Sequence, residues 1–532
     1  MKFENTYSGL GEQFFKRVLP QKAIKPKLLL WNTVLANSLL IDDNLQNNHH
    51  LIAQYFSGNE LPDGAESIAL AYSGHQFGHF NPQLGDGRAH LLGEIRDNKN
   101  VRCDIQLKGS GQTPFSRRGD GKCALAPALR EYIMSEAMFA LGVPTSRCLA
   151  VVSTGETIHR GLAKAGAVVT RVAASHIRVG TFQYFAARDD KASLKALLDY
   201  SIERHIPEIK SREINNLESQ GANFAEEQRI LLFLEHTIDK QITLIVEWLR
   251  VGFIHGVMNT DNTAISGETI DFGPCAMMGS YHEKAVFSSI DEYGRYAFGS
   301  QGKIAQWNMA RLADCLLPLI TECQIEPCDE SLSIEDKKQA QQQLALEKLE
   351  KIIHQYSSKF EVAYYAMYAN KLGMSQIYSA HKVLIDSLLE IMQTKRLDYT
   401  QTFYRLTQSL KDKIIADELK AELGDWYSTW LSVIEKTNYN DQDNNIEAAL
   451  AIMSKNNPVV IPRNHHVEQI LSRCEDALAN SSTQLSANGS IDSIVAEFLT
   501  VLRSPYCELD ATKNYQDAPA DGDRYYQTFC GT

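Results

Sequence analysis

The 532-residue chain contains no run of about 18 apolar residues, so no membrane-spanning helix is expected. Its start, Met1-Lys2-Phe3-Glu4-Asn5, lacks the apolar stretch of a secretory signal. It also lacks the Arg-rich, acid-poor look of a transit peptide, and the expected compartment is cytoplasmic. The ten cysteines include no Cys-x-x-Cys pair, which argues against a zinc site or a disulfide framework. Basic charge is not in excess: the net charge is -12, so there is no global footprint for nucleic acid. Internal repeats are absent. What remains is an ordinary globular composition, 44% apolar and 22% charged, on a chain long enough for two to four units of about 150 residues.

The first third of the chain reads as strands and glycine-rich turns. Leu28–Trp31 is an apolar run, either strand or buried helix. Tyr72-Ser73-Gly74-His75-Gln76-Phe77-Gly78-His79 has no clean period and is expected to be a packed loop. Residues 89–95 and 101–108 alternate and read as paired strands. The turn before them, Gln83-Leu84-Gly85-Asp86-Gly87-Arg88, offers backbone N–H groups to a phosphate or simply closes a hairpin. Lys108 ends its strand beside a glycine and opens a basic, glycine-rich loop through Arg117-Arg118-Gly119-Asp120-Gly121-Lys122. Such local basicity in an acidic chain suits an anion, most simply phosphate. Residues 126–141 form a helix, with Pro127 in its first turn and Gly142 at its stop. Strand-like runs follow at 148–152, 156–162 and 168–173. Arg171 and Arg178, seven apart, are either a phosphate clamp or two solvated charges beside a strand.

Beyond residue 181 the pattern becomes helical, with helices expected over 191–203, 225–252, 303–319, 334–371, 377–394, 399–436 and 446–455. Asn440–Asn445 and Asn480–Ser490 are polar and expected as loops. Between the second and third of these helices lies His255-Gly256-Val257-Met258-Asn259-Thr260-Asp261-Asn262, followed by Asp271-Phe272-Gly273-Pro274. Asn262 and Asp271 are nine residues apart, and a hairpin turning at Gly267 would bring their oxygens together. Carboxylate and amide oxygens suit a hard cation that keeps open positions for phosphate. Protein kinases use the same parts, His-Arg-Asp-x-x-x-x-Asn and then Asp-Phe-Gly. Here Val257 stands where the kinase aspartate would. Valine cannot take a proton, and Asp261 is the nearest residue that can.

Together these motifs resemble the selenoprotein O family of protein nucleotidyltransferases, from about residue 25 to the C-terminus. The resemblance implies an α+β, protein-kinase-like (pseudokinase) bilobal fold. Residues 1–165 would be an N-terminal extension and β-rich lobe, and 166–532 a large helical lobe with the metal site and tail. It implies transfer of AMP from ATP to Ser, Thr or Tyr hydroxyls of proteins, self-modification included, with ATP inverted relative to a kinase. Nucleotide contacts would fall on Gly85, Gly87, Arg88, Lys108, Asp120, Gly121, Arg171, Arg178 and Asp271. Glu131 would pair with Lys108, Asp261 would accept the proton, and Asn262 and Asp271 would hold Mg²⁺ or Mn²⁺. Family members often end with selenocysteine or cysteine third from the end, where Cys530 stands. A redox switch using it is implied, with Cys275 a candidate partner. A monomer without nucleic-acid or membrane partners is expected. Three other functions stay open: UMP transfer from UTP, ordinary phosphoryl transfer, and a non-catalytic nucleotide-binding scaffold.

Overall fold

The computed structural model describes residues 1–210, 222–324, 333–436, 445–480, 490–519 and 521–529. Cys530 lies outside them, as do 440–444 and 481–489 of the two polar stretches. The chain is a mixed α/β protein, with a sheet in its first third and helices thereafter.

The strands are β1 (Phe15–Arg17), β2 (Lys27–Trp31), β3 (Ile68–Leu70), β4 (Gly74–Gln76), β5 (His79–Asn81), β6 (Ala89–Arg96), β7 (Arg102–Lys108), β8 (Cys123–Ala124), β9 (Arg147–Arg160) and β10 (Leu162–Ala173). The main sheet runs β1-β3-β6-β7-β10-β9-β2, with β8 beside β10, and every pairing is antiparallel. Helices α1 (Thr33–Ser38), α2 (Asp43–Gln46) and α3 (His49–Ser57) lie between β2 and β3; α4 (Leu125–Ala140) follows β8. Successive strand residues point to opposite faces, and both faces are covered. Leu92, Val152 and Val168 join Ile52 and Phe56 on one side, whereas Leu91, Val151 and Val169 join Leu129 and Ile133 of α4 on the other. That two-sided burial is why these strands are near-continuously apolar.

Helices α5 (Val179–Ala186), α6 (Lys191–His205), α7 (Ala222–Val251), α8 (Gln301–Cys323) and α9 (Ile334–Lys371) carry the chain away from the sheet. Between α7 and α8 lies the motif-bearing segment, with the short strands β11 (Phe253–Ile254) and β12 (Ala276–Met277) paired to each other. The expected 399–436 helix is three: α11 (Tyr399–Ser409), α12 (Lys413–Leu423) and α13 (Asp425–Lys436), preceded by α10 (Ser379–Lys395). Asp412 caps α12 by accepting from Ile414 N, and Gly424 ends it at φ +64°. Each is a stop or start signal that a run of amphipathic spacing conceals. α14 (Asn445–Asn456), α15 (Asn464–Asn480) and α16 (Ile491–Leu502) complete the helices, and Leu129 and Ile133 of α4 share a core with Leu471 of α15 and Val495 of α16.

The sheet is locked to α6 by buried ions. Arg204 Nη2 donates to Asp104 Oδ1 at 2.5 Å, and the backbone and ring N–H of His176 are within 3.0 Å of Asp104 Oδ2. Burial works against the Asp104 carboxylate, but Arg204 and His176 outweigh it and hold its pKa down at about 2. Such a group adds stability above the unfolded value near 4, and loses it as pH falls from there through about 2. Asp104→Asn should therefore flatten the loss of stability between pH 4 and pH 2. At pH 7 it should cost about 2–3 kcal/mol, because buried Arg204 loses its nearer carboxylate and keeps only Glu94, at 3.6 Å. Urea midpoints measured across that range check both.

Candidate active site

Lys108 and Gln106 share one face of β7, and Arg171 stands opposite Gln106 on β10, so all three project toward α4. There they meet Glu131. Lys108 Nζ donates to Glu131 Oε2 at 2.8 Å, and Arg171 Nε donates to Glu131 Oε1. Both cations also reach the Asp271 carboxylate: Lys108 Nζ is 2.6 Å and Arg171 Nη2 3.2 Å from Oδ1. Two cations and two carboxylates thus neutralise one another where water is scarce. Burial opposes ionisation of Asp271, but Lys108, Arg171 and Arg88 hold its pKa well below the ordinary carboxylate range. Glu131 is lowered likewise, by Arg171 and Lys108 against its own burial. The expected Lys108–Glu131 pair is present; that Arg171 shares it was not foreseen.

Asp271 has φ +65°, a left-handed backbone that costs an ordinary residue about 1–2 kcal/mol. His255 helps impose it. Its Nδ1 accepts from Val257 N at 3.3 Å, which leaves Nε2 to donate to Ile270 O at 2.9 Å, and the ring stacks on Trp248. The hairpin expected about Gly267 does not form. Ala264 bridges Arg178 and Thr269 bridges Thr145, so each short apolar run pairs with a different segment. Three or two residues cannot hold a ladder alone, and the neighbours supply the hydrogen bonds.

Asp261 is buried, and its Oδ1 has no hydrogen-bond partner among the described residues. Its Oδ2 accepts from Gln76 Nε2 at 3.1 Å. Burial raises its pKa to about 6, with Arg178 and Gln76 pulling the other way. Asn262 donates from Nδ2 to Val257 O at 3.1 Å, which leaves its oxygen free to coordinate. Among the described residues no three His, Cys, Asp or Glu side chains gather as a metal cluster. Asn262 and Asp271 offer an amide and a carboxylate oxygen, both hard donors. This set fits a cation that completes its shell with phosphate and water.

Arg178 is buried, not solvated, and so is Arg171. Arg178 lies over the Tyr72 ring at 4.4 Å, with Nη2 3.5 Å from Asp86 Oδ1. Gln106 donates to Asp86 Oδ2 at 3.0 Å. The turn glycines face protein rather than open space. A Cβ on Gly85, at φ +79°, would sit 2.3 Å from the Phe115 ring, and one on Gly87 would crowd Phe115 O at 3.0 Å. Gly121, at φ +70°, packs equally tightly on Gly111. These glycines therefore clamp the 83–88 turn and the 109–122 loop. Asp120 forks onto Arg160 at 2.7 and 2.8 Å rather than joining the Lys108 cluster. Cys275 is buried, and burial raises its thiol pKa to about 11, far from a poised thiolate.

Four residues escaped sequence reasoning. Asp86 was hidden between two glycines that drew attention to themselves. Gln76 lies in the segment expected to be a bland loop. That segment is instead a hairpin, β4–β5, turning at Phe77 and Gly78, both at positive φ. Tyr72 and Arg160 carried no local signal, since their partners are remote in sequence.

Lys108 and Arg171 on the ionised Asp271, with Arg178 buried on Asp86, gather positive charge that suits a polyphosphate. The chain is similar to a 48% identical protein of Teredinibacter turnerae named protein nucleotidyltransferase YdiU, over the whole of both chains. Proteins of the same name from Pseudoalteromonas translucida, 46% identical over 99% of each chain, and Anoxybacillus flavithermus, 44% identical over 100% and 99%, are also similar. The chain is an enzyme that transfers nucleotidyl groups. The family described as protein adenylyltransferase SelO matches residues 1–487, and the chain belongs to it.

Asp271→Asn and Asp271→Ala both remove the carboxylate, but only Asn tolerates the left-handed backbone well. The Ala variant should be less stable than the Asn variant by about 1 kcal/mol in urea titrations. Equal midpoints would show that the backbone there is not held left-handed.

Proposed function

We propose that this protein transfers AMP from ATP to Ser, Thr or Tyr hydroxyls of other proteins, releasing pyrophosphate, in the cytoplasm. We read its sheet with α1–α4 as the smaller lobe of a kinase-like bilobal fold and the helices as the larger. The 1–165 and 166–532 division is best moved to the end of β10, because Leu162–Ala173 is one strand.

Lys108, Arg171 and Arg178 would take the triphosphate, exchanging the Asp271 contacts of the first two for phosphate oxygens. Arginine's fork suits this because it is always charged and donates in pairs. Arg88, whose charge already acts on Asp271, would join them. Asp120 and Gly121 would bound the far phosphates once Arg160 shares its carboxylate. Asn262 and Asp271 would hold Mg²⁺ or Mn²⁺, which when bound neutralises phosphate charge. The acceptor hydroxyl would approach Asp261, give its proton to the unpartnered Oδ1, and attack the α-phosphorus as pyrophosphate leaves. Positioning and electrostatics would carry most of the rate.

The observation that supports this most is Asp261: buried beside Asn262, one oxygen free, with a pKa pushed up to about 6. That basicity suits a general base at neutral pH. It also answers the Val257 substitution, which removes the base from its kinase position. The relatives' printed name, protein nucleotidyltransferase, supports a protein acceptor.

Intact-mass spectrometry after incubation with ATP and Mg²⁺, alone and with an acceptor protein, tests the proposal. An adduct of AMP mass is expected, falling about 10²–10⁴-fold in Asp261→Asn. A UMP adduct from UTP alone would move the substrate to the other nucleotide. An adduct of phosphate mass would make it a kinase, and nucleotide binding without any adduct would make it a scaffold.

A further inference from the structure

The hairpin that touches Asp261 also builds a surface. Its inner edge is tied to the catalytic segment: His75 N donates to Thr260 Oγ1 at 2.7 Å, and Phe77 N to Asn259 Oδ1 at 3.1 Å. Tyr296 OH bonds the same Asn259 oxygen at 2.6 Å. Its outer edge carries exposed aromatic area, with Phe80 41% exposed, and His75 packs on Trp307 of α8 at 5.2 Å. Arginines flank both ends. At the turn, Arg295 lies against Gly78, where a Cβ would be 3.7 Å from its guanidinium carbon. At the other end, Arg188 Nη2 donates to Pro82 O at 3.1 Å.

Neither arginine has a carboxylate within ion-pair distance among the described residues. Arg295 lies over the Trp307 ring at 4.9 Å, and its Nε is buried without a hydrogen-bond partner. Arg311, also over the Trp307 ring at 5.2 Å, is already paired with Asp314 at 3.0 Å. An aromatic-backed guanidinium with spare donors suits a carboxylate.

We propose that the β4–β5 hairpin, Arg295, Arg188 and Trp307 form the docking face for the acceptor polypeptide. The face selects segments with a Glu or Asp close to the hydroxyl. This rests on the protein-acceptor reading above and deepens it. Arg295 takes the acidic side chain, Phe80 and Trp307 receive apolar neighbours, and Gln76 holds Asp261 at the inner edge where the hydroxyl arrives. The hairpin thereby couples acceptor recognition to the orientation of the base.

The test uses two fluorescent nine-residue peptides with one central Ser, flanked by Glu in one and by Lys in the other. Their binding is measured by anisotropy on the full-length protein with a non-hydrolysable ATP analogue. The acidic peptide should bind about 10-fold more tightly at low salt, with the advantage shrinking as salt rises. Arg295→Glu should reverse the preference, and Arg295→Gln should abolish it, while the affinity for the ATP analogue is unchanged. Recovery of binding by the Lys peptide in Arg295→Glu rules out simple misfolding. Equal binding of the two peptides, or a preference that survives both substitutions, overturns the proposal. So does equally tight binding of a single-stranded DNA oligomer, which would make the face a general polyanion surface. Acidic preference, with no AMP adduct on the same peptide by mass spectrometry once ATP and Mg²⁺ replace the analogue, would sink the transfer reaction and leave the docking face standing.

Discussion

The Lys108–Glu131–Arg171–Asp271 cluster is the constraint on which the rest depends. Each of its members comes from a different element: β7, α4, β10 and the segment after α7. Any one of these charges buried alone would cost several kcal/mol. Together they are tolerable, and only if all four elements are in register. The cluster therefore fastens the sheet to α4 and both to the motif-bearing segment. It is also a balanced set that an incoming polyphosphate would unbalance, since two cations now shared with carboxylates are what such a ligand needs.

Around this cluster the polar contacts form layers. Asp86 and Tyr72 hold Arg178, and Gln106 holds Asp86. His255 fixes the carbonyl before Asp271, and Asn308 donates to Met258 O and Thr263 Oγ1 on either side of Asp261. Three polar atoms here, Arg178 Nε, Gln106 Oε1 and Asp261 Oδ1, are buried without partners among the described residues. Unsatisfied buried groups are expensive, and each of these is a point where a polar ligand would repay the cost.

Much of this was legible in advance because it rests on short-range rules. Leu125–Ala140 follows from periodicity with Pro127 and Gly142, and β6 and β7 from alternation. Lys108, Glu131, Asn262 and Asp271 could be named because their motifs are contiguous. The failures have a common origin. The 399–436 stretch was read through Asp412 and Gly424 because amphipathic spacing continues across them. The hairpin at Gly267 was expected from local turn chemistry, yet Thr145 and Arg178 captured its two arms.

The amino-acid order by itself determined the elements and the types of residue at the site, since helix periodicity, strand alternation and turn preferences act over a few residues. Only the tertiary structure decided which charges meet. Lys108 and Asp271 are separated by 163 positions, and Gln76 and Asp261 by 185. Whether Arg171 and Arg178 were solvated or buried, and whether the 74–81 segment was inert or pressed against Asp261, depended on how separate elements packed. Burial and hydrogen bonding are properties of that packing, and no local pattern encodes them.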